Sequence, residues 1–174
     1  MNTFIGETLI GKDFVKLCNK FKLKLYKFTI PSEIHYGLLY KDGLNIDPQP
    51  FNQYSCSKGG IYFCDNTQIE RWITLFTNNN YVQNIREVEI PNDAIVFIEF
   101  QKYKVNKIIL HPAKKIYKIY DLIKIAVMQK GILLQFVVEQ SEELCEIAIR
   151  QNPFALKFVK EKTEKLFQII DEDK

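Results

Sequence analysis

From Asp121 onward the chain repeats itself. Displacing the sequence by about 22 residues lays Leu122 on Leu144, Ile125 on Ile147, Ala126 on Ala148 and Gln129 on Gln151. The same offset lays Leu134 on Leu156, Phe136 on Phe158, Val137 on Val159 and Glu139 on Glu161. A third copy opens at Thr163-Glu164-Lys165-Leu166 and runs to Ile170. A unit this short cannot bury its apolar face alone, so the copies must stack on one another. Within each copy the helical period breaks near Gly131 or Asn152-Pro153, and Ser141 and Thr163 supply acceptors of the kind that cap helix N-termini. The expectation for residues 119–174 is an array of short α-helical hairpin repeats, and with two and a half copies it reads as a cap rather than a long binding solenoid.

Residues 1–118 follow a different period. Phe14, Val15, Leu17, Cys18 and Phe21 give residues 12–21 one apolar helical face. Lys22 to Ile30 alternates as a strand stopped by Pro31, and Lys20, Lys22, Lys24 and Lys27 read as the solvated guard of an edge strand. Asp42-Gly43 is a tight-turn signal, and Asp47-Pro48-Gln49-Pro50 excludes helix interior and central strand. Lys58-Gly59-Gly60 lets the backbone turn before the apolar run Ile61-Tyr62-Phe63-Cys64. Thr67-Gln68-Ile69-Glu70 fits a capping box ahead of Trp72, Ile73 and Phe76, and Asn78-Asn79-Asn80 is a turn cluster. Further strands are expected at Glu87–Ile90, Ile95–Phe100 and Tyr103–Leu110, with a turn at Pro91-Asn92-Asp93. The fold class is therefore α+β: a twisted mixed or antiparallel sheet domain over 1–118, followed by the helical repeats.

Several of these words resemble known families. Gly43-Leu44-Asn45-Ile46, a proline-containing loop and Gly59-Gly60-Ile61-Tyr62-Phe63-Cys64-Asp65 resemble the G-L-x-I and G-I-Y-F segment of poly-ADP-ribose polymerases. That resemblance implies an ADP-ribosyltransferase-like sheet that clamps NAD in a split, with Tyr62 at the NAD-stacking tyrosine. The family's catalytic histidine falls on the strand here read as Leu25–Thr29, which has none; His35 lies several residues late, and no glutamate takes the third position. Residues 23–111 more closely resemble an amino-terminal domain of giant-virus, mimivirus-like proteins. The shared words are Tyr40 to Asn45, Ser55 to Phe63, Arg86-Glu87-Val88-Glu89-Ile90-Pro91 and Lys107-Ile108-Ile109-Leu110. Many members of that group carry ankyrin repeats behind the domain. Ala126 to Gly131 and Ala148 to Pro153 resemble a short helical repeat of giant-virus and protist proteins.

Composition limits the function classes. A formal charge of +3, with 24 Lys and Arg against 21 Asp and Glu, leaves no electrostatic footprint that demands nucleic acid. Four scattered cysteines do not make a disulfide scaffold and fit reduced thiols. The N-terminal residues show no signal-peptide pattern, and no apolar run approaches the ~20 residues that span a bilayer. The expected location is host cytoplasm or virion.

Tyr62, His35 and Lys27 are the candidate catalytic residues, and Gly59, Gly60, Tyr62, Tyr40 and Asn45 the candidate ligand-binding set. His35, Cys56, Cys64 and His111 lack the paired spacing of a zinc site, so no metal is expected. Cys56 or Cys64 could pair with a histidine as a nucleophile. The expectation is a non-catalytic binding module with a protein partner and no cofactor. The alternatives are an NAD-dependent ADP-ribosyltransferase, with NAD as cofactor, and a weak nucleic-acid binder.

Overall fold

Strand follows strand through the first part of the chain, and antiparallel pairing joins them into one large sheet. The computed structural model describes residues 2–77, 84–115 and 120–172. The expected turn at Asn78-Asn79-Asn80 and the expected boundary at 118/119 lie outside the described residues. The chain divides into two compact units, Met1–Gln68 with Tyr81–Lys115, and Ile69–Asn80 with Ile116–Lys174.

The first unit holds strands β1 (Thr8–Ile10), β2 (Leu25–Thr29), β3 (Ile34–His35), β4 (Leu38–Leu39), β5 (Gly43–Ile46) and β6 (Ile61–Asp65). It continues with β7 (Asn84–Glu89), β8 (Ile95–Glu99), β9 (Lys102–Val105), β10 (Lys107–Leu110) and β11 (Lys114–Lys115). Eight of these lie in the order β1-β8-β9-β6-β2-β7-β10-β5, with β11 also on β7, and β3 pairs β4 in a separate hairpin. The run Tyr103–Leu110 is two strands, because Asn106 leaves the ladder and its side chain accepts the Ile95 N–H instead.

Helix α1 (Gly11–Lys20) covers one part of this sheet. Its Phe14 ring meets Phe63 at 5.9 Å and Tyr103 at 5.0 Å, both edge-on, in the centre of the core. No side chain caps this helix. Its first amides donate to the carbonyls of the turn that begins at Pro91, Gly11 N to Ala94 O at 2.8 Å and Lys12 N to Asn92 O at 2.9 Å. Position 11 admits only glycine, since a Cβ there would stand 1.8 Å from Pro91 O.

One expectation for this unit needs correction. β2 is a central strand between β6 and β7, so Lys27 is not a solvated edge guard but 4% exposed. At Thr67, Asp65 Oδ1 accepts both the Thr67 amide at 2.7 Å and its hydroxyl, and the Glu70 amide donates to Gln129. An aspartate two residues upstream supplies a charged acceptor at the start of the helix.

The second unit contains α2 (Ile69–Thr77), α3 (Tyr120–Gln129), α4 (Glu142–Gln151) and α5 (Glu164–Glu172). Short 3₁₀ helices at Gly131–Phe136 and Pro153–Phe158 follow α3 and α4. The starts of α3, α4 and α5 at 120, 142 and 164 lie 22 residues apart. Leu122, Leu144 and Leu166 occupy the same place in the three helices and are buried in each. Gly131 packs where a Cβ would come within 2.2 Å of Ala148 O, and its amide donates to Gln151 Oε1. Ser141 caps α4 by accepting the Leu144 amide at 3.2 Å.

Candidate functional site

The sheet opens at one place. β2 pairs β6 only through Leu25–Asp65 and Tyr26–Cys64; beyond Tyr26 it stays with β7, while Ile61–Phe63 stay with β9. Residues 30–60 fold around this parting. Tyr36 and Gly37 turn the β3–β4 hairpin with φ of 51° and 85°, both in the left-handed region. Glu33 ties the hairpin's base to the sheet, accepting from Thr29 Oγ1 at 2.9 Å, Asn84 Nδ2 at 2.7 Å and Arg86 Nε at 3.2 Å.

Between hairpin and glycine step lies a cavity of about 220 Å³, lined among others by His35, Tyr36, Tyr40, Asp47, Lys58 and Gly60. The His35 and Tyr36 rings are 4.3 Å apart. Asp47 is a structural acid, because Oδ2 accepts the Gly60 amide at 2.7 Å and Oδ1 the Gln49 amide at 2.8 Å. Tyr40 is 5% exposed, and the Lys27 ammonium stands 4.6 Å from its ring centroid. Burial lowers Lys27 to about 8, against the opposing pull of Cys64 and Glu33. Burial, followed by the Lys27 charge, also lowers His35, so its imidazole is neutral at neutral pH. Burial raises the Tyr40 phenol, which stays protonated.

The sequence candidates therefore separate. His35, Tyr40 and Gly60 meet at the cavity, with Lys27 against Tyr40. Tyr62 does not line it. Its ring lies 4.5 Å from Lys102 Nζ and 5.4 Å from Lys104 Nζ, and its hydroxyl is 3.4 Å from Tyr54 O. Gly59, with φ of 83°, passes where a Cβ would fall 2.3 Å from Pro50 O, so it shapes the loop. Asn45 spends its amide on its own turn, bonding Lys41 N, Lys41 O and Gly43 O. Neither Cys56 nor Cys64 has the histidine partner considered for a nucleophile. Cys56 Sγ accepts from Lys102, while Cys64 is buried and its thiol raised by burial. Among the described residues no three His, Cys, Asp or Glu side chains stand close enough to hold a metal.

Sequence reasoning missed Lys104. The residue is wholly buried, and its ammonium reaches Asn52 Oδ1 at 2.9 Å, Tyr54 O at 3.0 Å and Ser57 Oγ at 3.1 Å. It fastens the whole loop from Asn52 to Lys58. Alternation along β9 puts Lys104 on the face opposite Tyr103 and Val105, where a lysine reads as solvated, so no local signal marks it.

No family model matches the chain, and no solved structure matches it. Curated relatives include a putative ankyrin repeat protein, R896, of Acanthamoeba polyphaga mimivirus, 30% identical over 126 residues. That match covers 68% of this chain and 34% of the relative, so the chain spans about a third of that protein's length. A second relative is the uncharacterized protein R869 of the same virus, 36% identical over 107 residues, covering 55% of this chain and 69% of the relative.

Proposed function

The chain belongs to the family of the uncharacterized mimivirus protein R869, and we propose that its sheet unit is a non-catalytic binding module. The observation that carries this reading is the fate of the acids around the cavity. Asp47 has both oxygens taken by backbone amides, and Glu33 has both taken by Thr29, Asn84 and Arg86. A transfer that relies on a carboxylate needs one free to act on the reacting atoms, and these two acids are committed to holding the loop and the hairpin.

What is left is a recess with ring faces, a backbone wall and one flanking lysine. At about 220 Å³ it falls below the roughly 300–1,000 Å³ of cofactor-sized sites. It suits one planar ring, stacked against His35 and Tyr36. We read the sheet as ADP-ribosyltransferase-like, with the parting of β2 and β6 as its split, and the ligand class as a heteroaromatic amide such as nicotinamide. Saturation-transfer NMR with nicotinamide and NAD tests this. Ring signals that persist without turnover and weaken in Tyr36→Ala are expected. ADP-ribose transfer or nicotinamide release abolished by Tyr62→Ala would establish the enzymatic alternative instead.

For the second unit we propose a stacked array of 22-residue helical repeats presenting a protein-contact surface. Support comes from the even spacing of α3, α4 and α5 and from the ankyrin repeats named for one relative. No helix among the described residues is long and apolar enough to cross a membrane. The free cysteines suit host cytoplasm or virion, where we place the protein.

A further inference from the structure

Ser55, Cys56, Glu99 and Lys102 form a cluster of nucleophilic and charged groups, and none of them lines the cavity. Cys56 is exposed and held at φ of 53° in a loop that the buried Lys104 clamps from below. Lys102 Nζ donates to Cys56 Sγ at 3.1 Å and lies 3.2 Å from Glu99 Oε2. Ser55 Oγ donates to the same Glu99 oxygen at 2.6 Å and sits 3.7 Å from Sγ. One lysine thus serves the sulfur and the carboxylate at once. The cluster also contains an orphan: Glu99 is 8% exposed, and its Oε1 is buried with no hydrogen-bond partner among the described residues. A buried carboxylate oxygen without a donor is costly, and such an atom marks an arrangement that is complete only in another state.

We propose that Cys56 is a thiolate nucleophile that exchanges with small peptide disulfides, with Lys102 as its counter-ion and Glu99 as the partner Lys102 turns to once the sulfur is capped. The sulfur of Cys56 attacks one sulfur of the incoming disulfide. A new S–S bond forms as the old one breaks, and the second half leaves as a thiolate that takes a proton from solvent. Cys56 is oxidised, the departing thiol is reduced, and no further oxidant enters. The capped sulfur is neutral, so Lys102 loses one of its two anionic partners. Its ammonium then moves fully onto Glu99 and supplies the missing donor to Oε1.

The other cysteines contrast with Cys56. The hydrogen bond from the Lys102 ammonium holds the Cys56 thiol below its usual range. Burial pushes Cys18 up to about 12 and raises Cys64 and Cys145 as well.

The test uses the full chain with oxidised glutathione at pH 7, read by intact mass and peptide mapping, beside a pH profile of iodoacetamide alkylation. One glutathionyl group is expected, on Cys56. Its alkylation at pH 7 should be on the order of tenfold faster than that of an unstructured cysteine peptide. Lys102→Met should raise the inflection of the profile and slow the reaction several-fold, and Lys102→Arg should keep both. Reaction no faster than the peptide overturns the proposal, and so does a folded Lys102→Met variant with an unchanged profile. Fast alkylation without a glutathione adduct overturns the disulfide substrate. Should Lys102→Met not fold, a wild-type inflection at or above the peptide's is enough to reject the idea.

Discussion

Lys104 places its ammonium 2.9 Å from Asn52 Oδ1 while the residue itself is sealed from solvent. A buried cation of this kind is stable only because several acceptors converge on it, and here most come from a single loop. Removing it takes a charged donor from each of those acceptors and the anchor from the loop. Lys104→Met should therefore lower stability by about 2–4 kcal/mol in chemical denaturation. Limited proteolysis should show new cleavage between Asn52 and Lys58.

Lys27 carries its own pH signature. Its folded value of about 8 lies below the usual 10.5, so unfolding takes up a proton between those limits. Stability from this group is then lowest below pH 8 and rises as pH climbs toward 10.5. Lys27→Met should be the more stable protein below pH 8, by at most about 3 kcal/mol, and the gap should close by pH 10.5. Denaturation of both chains at each pH isolates this term from the tyrosines, which titrate in the same region.

Gly131 tests the contact between successive helical units. A methyl group there meets the Ala148 carbonyl at 2.2 Å, backbone against backbone, so neither side can yield cheaply. Gly131→Ala should cost about 2–4 kcal/mol and lower the midpoint of the unfolding transition. An unchanged midpoint would show that the units are not packed as described.

Binding in the cavity should depend on His35 only in acid solution. Burial and the Lys27 charge hold His35 below its usual 6.5, so its imidazolium forms at lower pH than that of an ordinary histidine. Nicotinamide affinity measured by NMR titration should change as that imidazolium forms, with a midpoint below 6.5. Tyr36, which is 59% exposed, can be cut to Ala with little loss of stability, and affinity should fall by about tenfold as a stacking face is lost.

Local periodicity made part of this legible. Ile61–Cys64 reads as a strand and lies in one, and the helices after residue 120 follow the offset that brings Leu122 onto Leu144. Turn chemistry likewise drew notice to the stretch that holds Tyr40 and Gly60, both at the cavity. Other features depend on partners distant in sequence. Lys27 looks like a surface lysine until β6 and β7 close on either side of β2. Lys104 finds its acceptors around Asn52, roughly half a hundred residues earlier, and no local pattern announces them. Tyr62 left the cavity because its strand position lies opposite Lys104, which brings its ring to the lysines instead.

Among the described residues β1 has one neighbour in the sheet, β8, some ninety residues later. The helix after it is fastened by amides to carbonyls of the turn just before β8. During synthesis, then, Thr8–Ile10 must wait as an unpaired edge until Ile95–Glu99 has left the ribosome. A nascent chain stalled before residue 95 should expose that segment to proteases and chaperones, and one released past β9 should hide it.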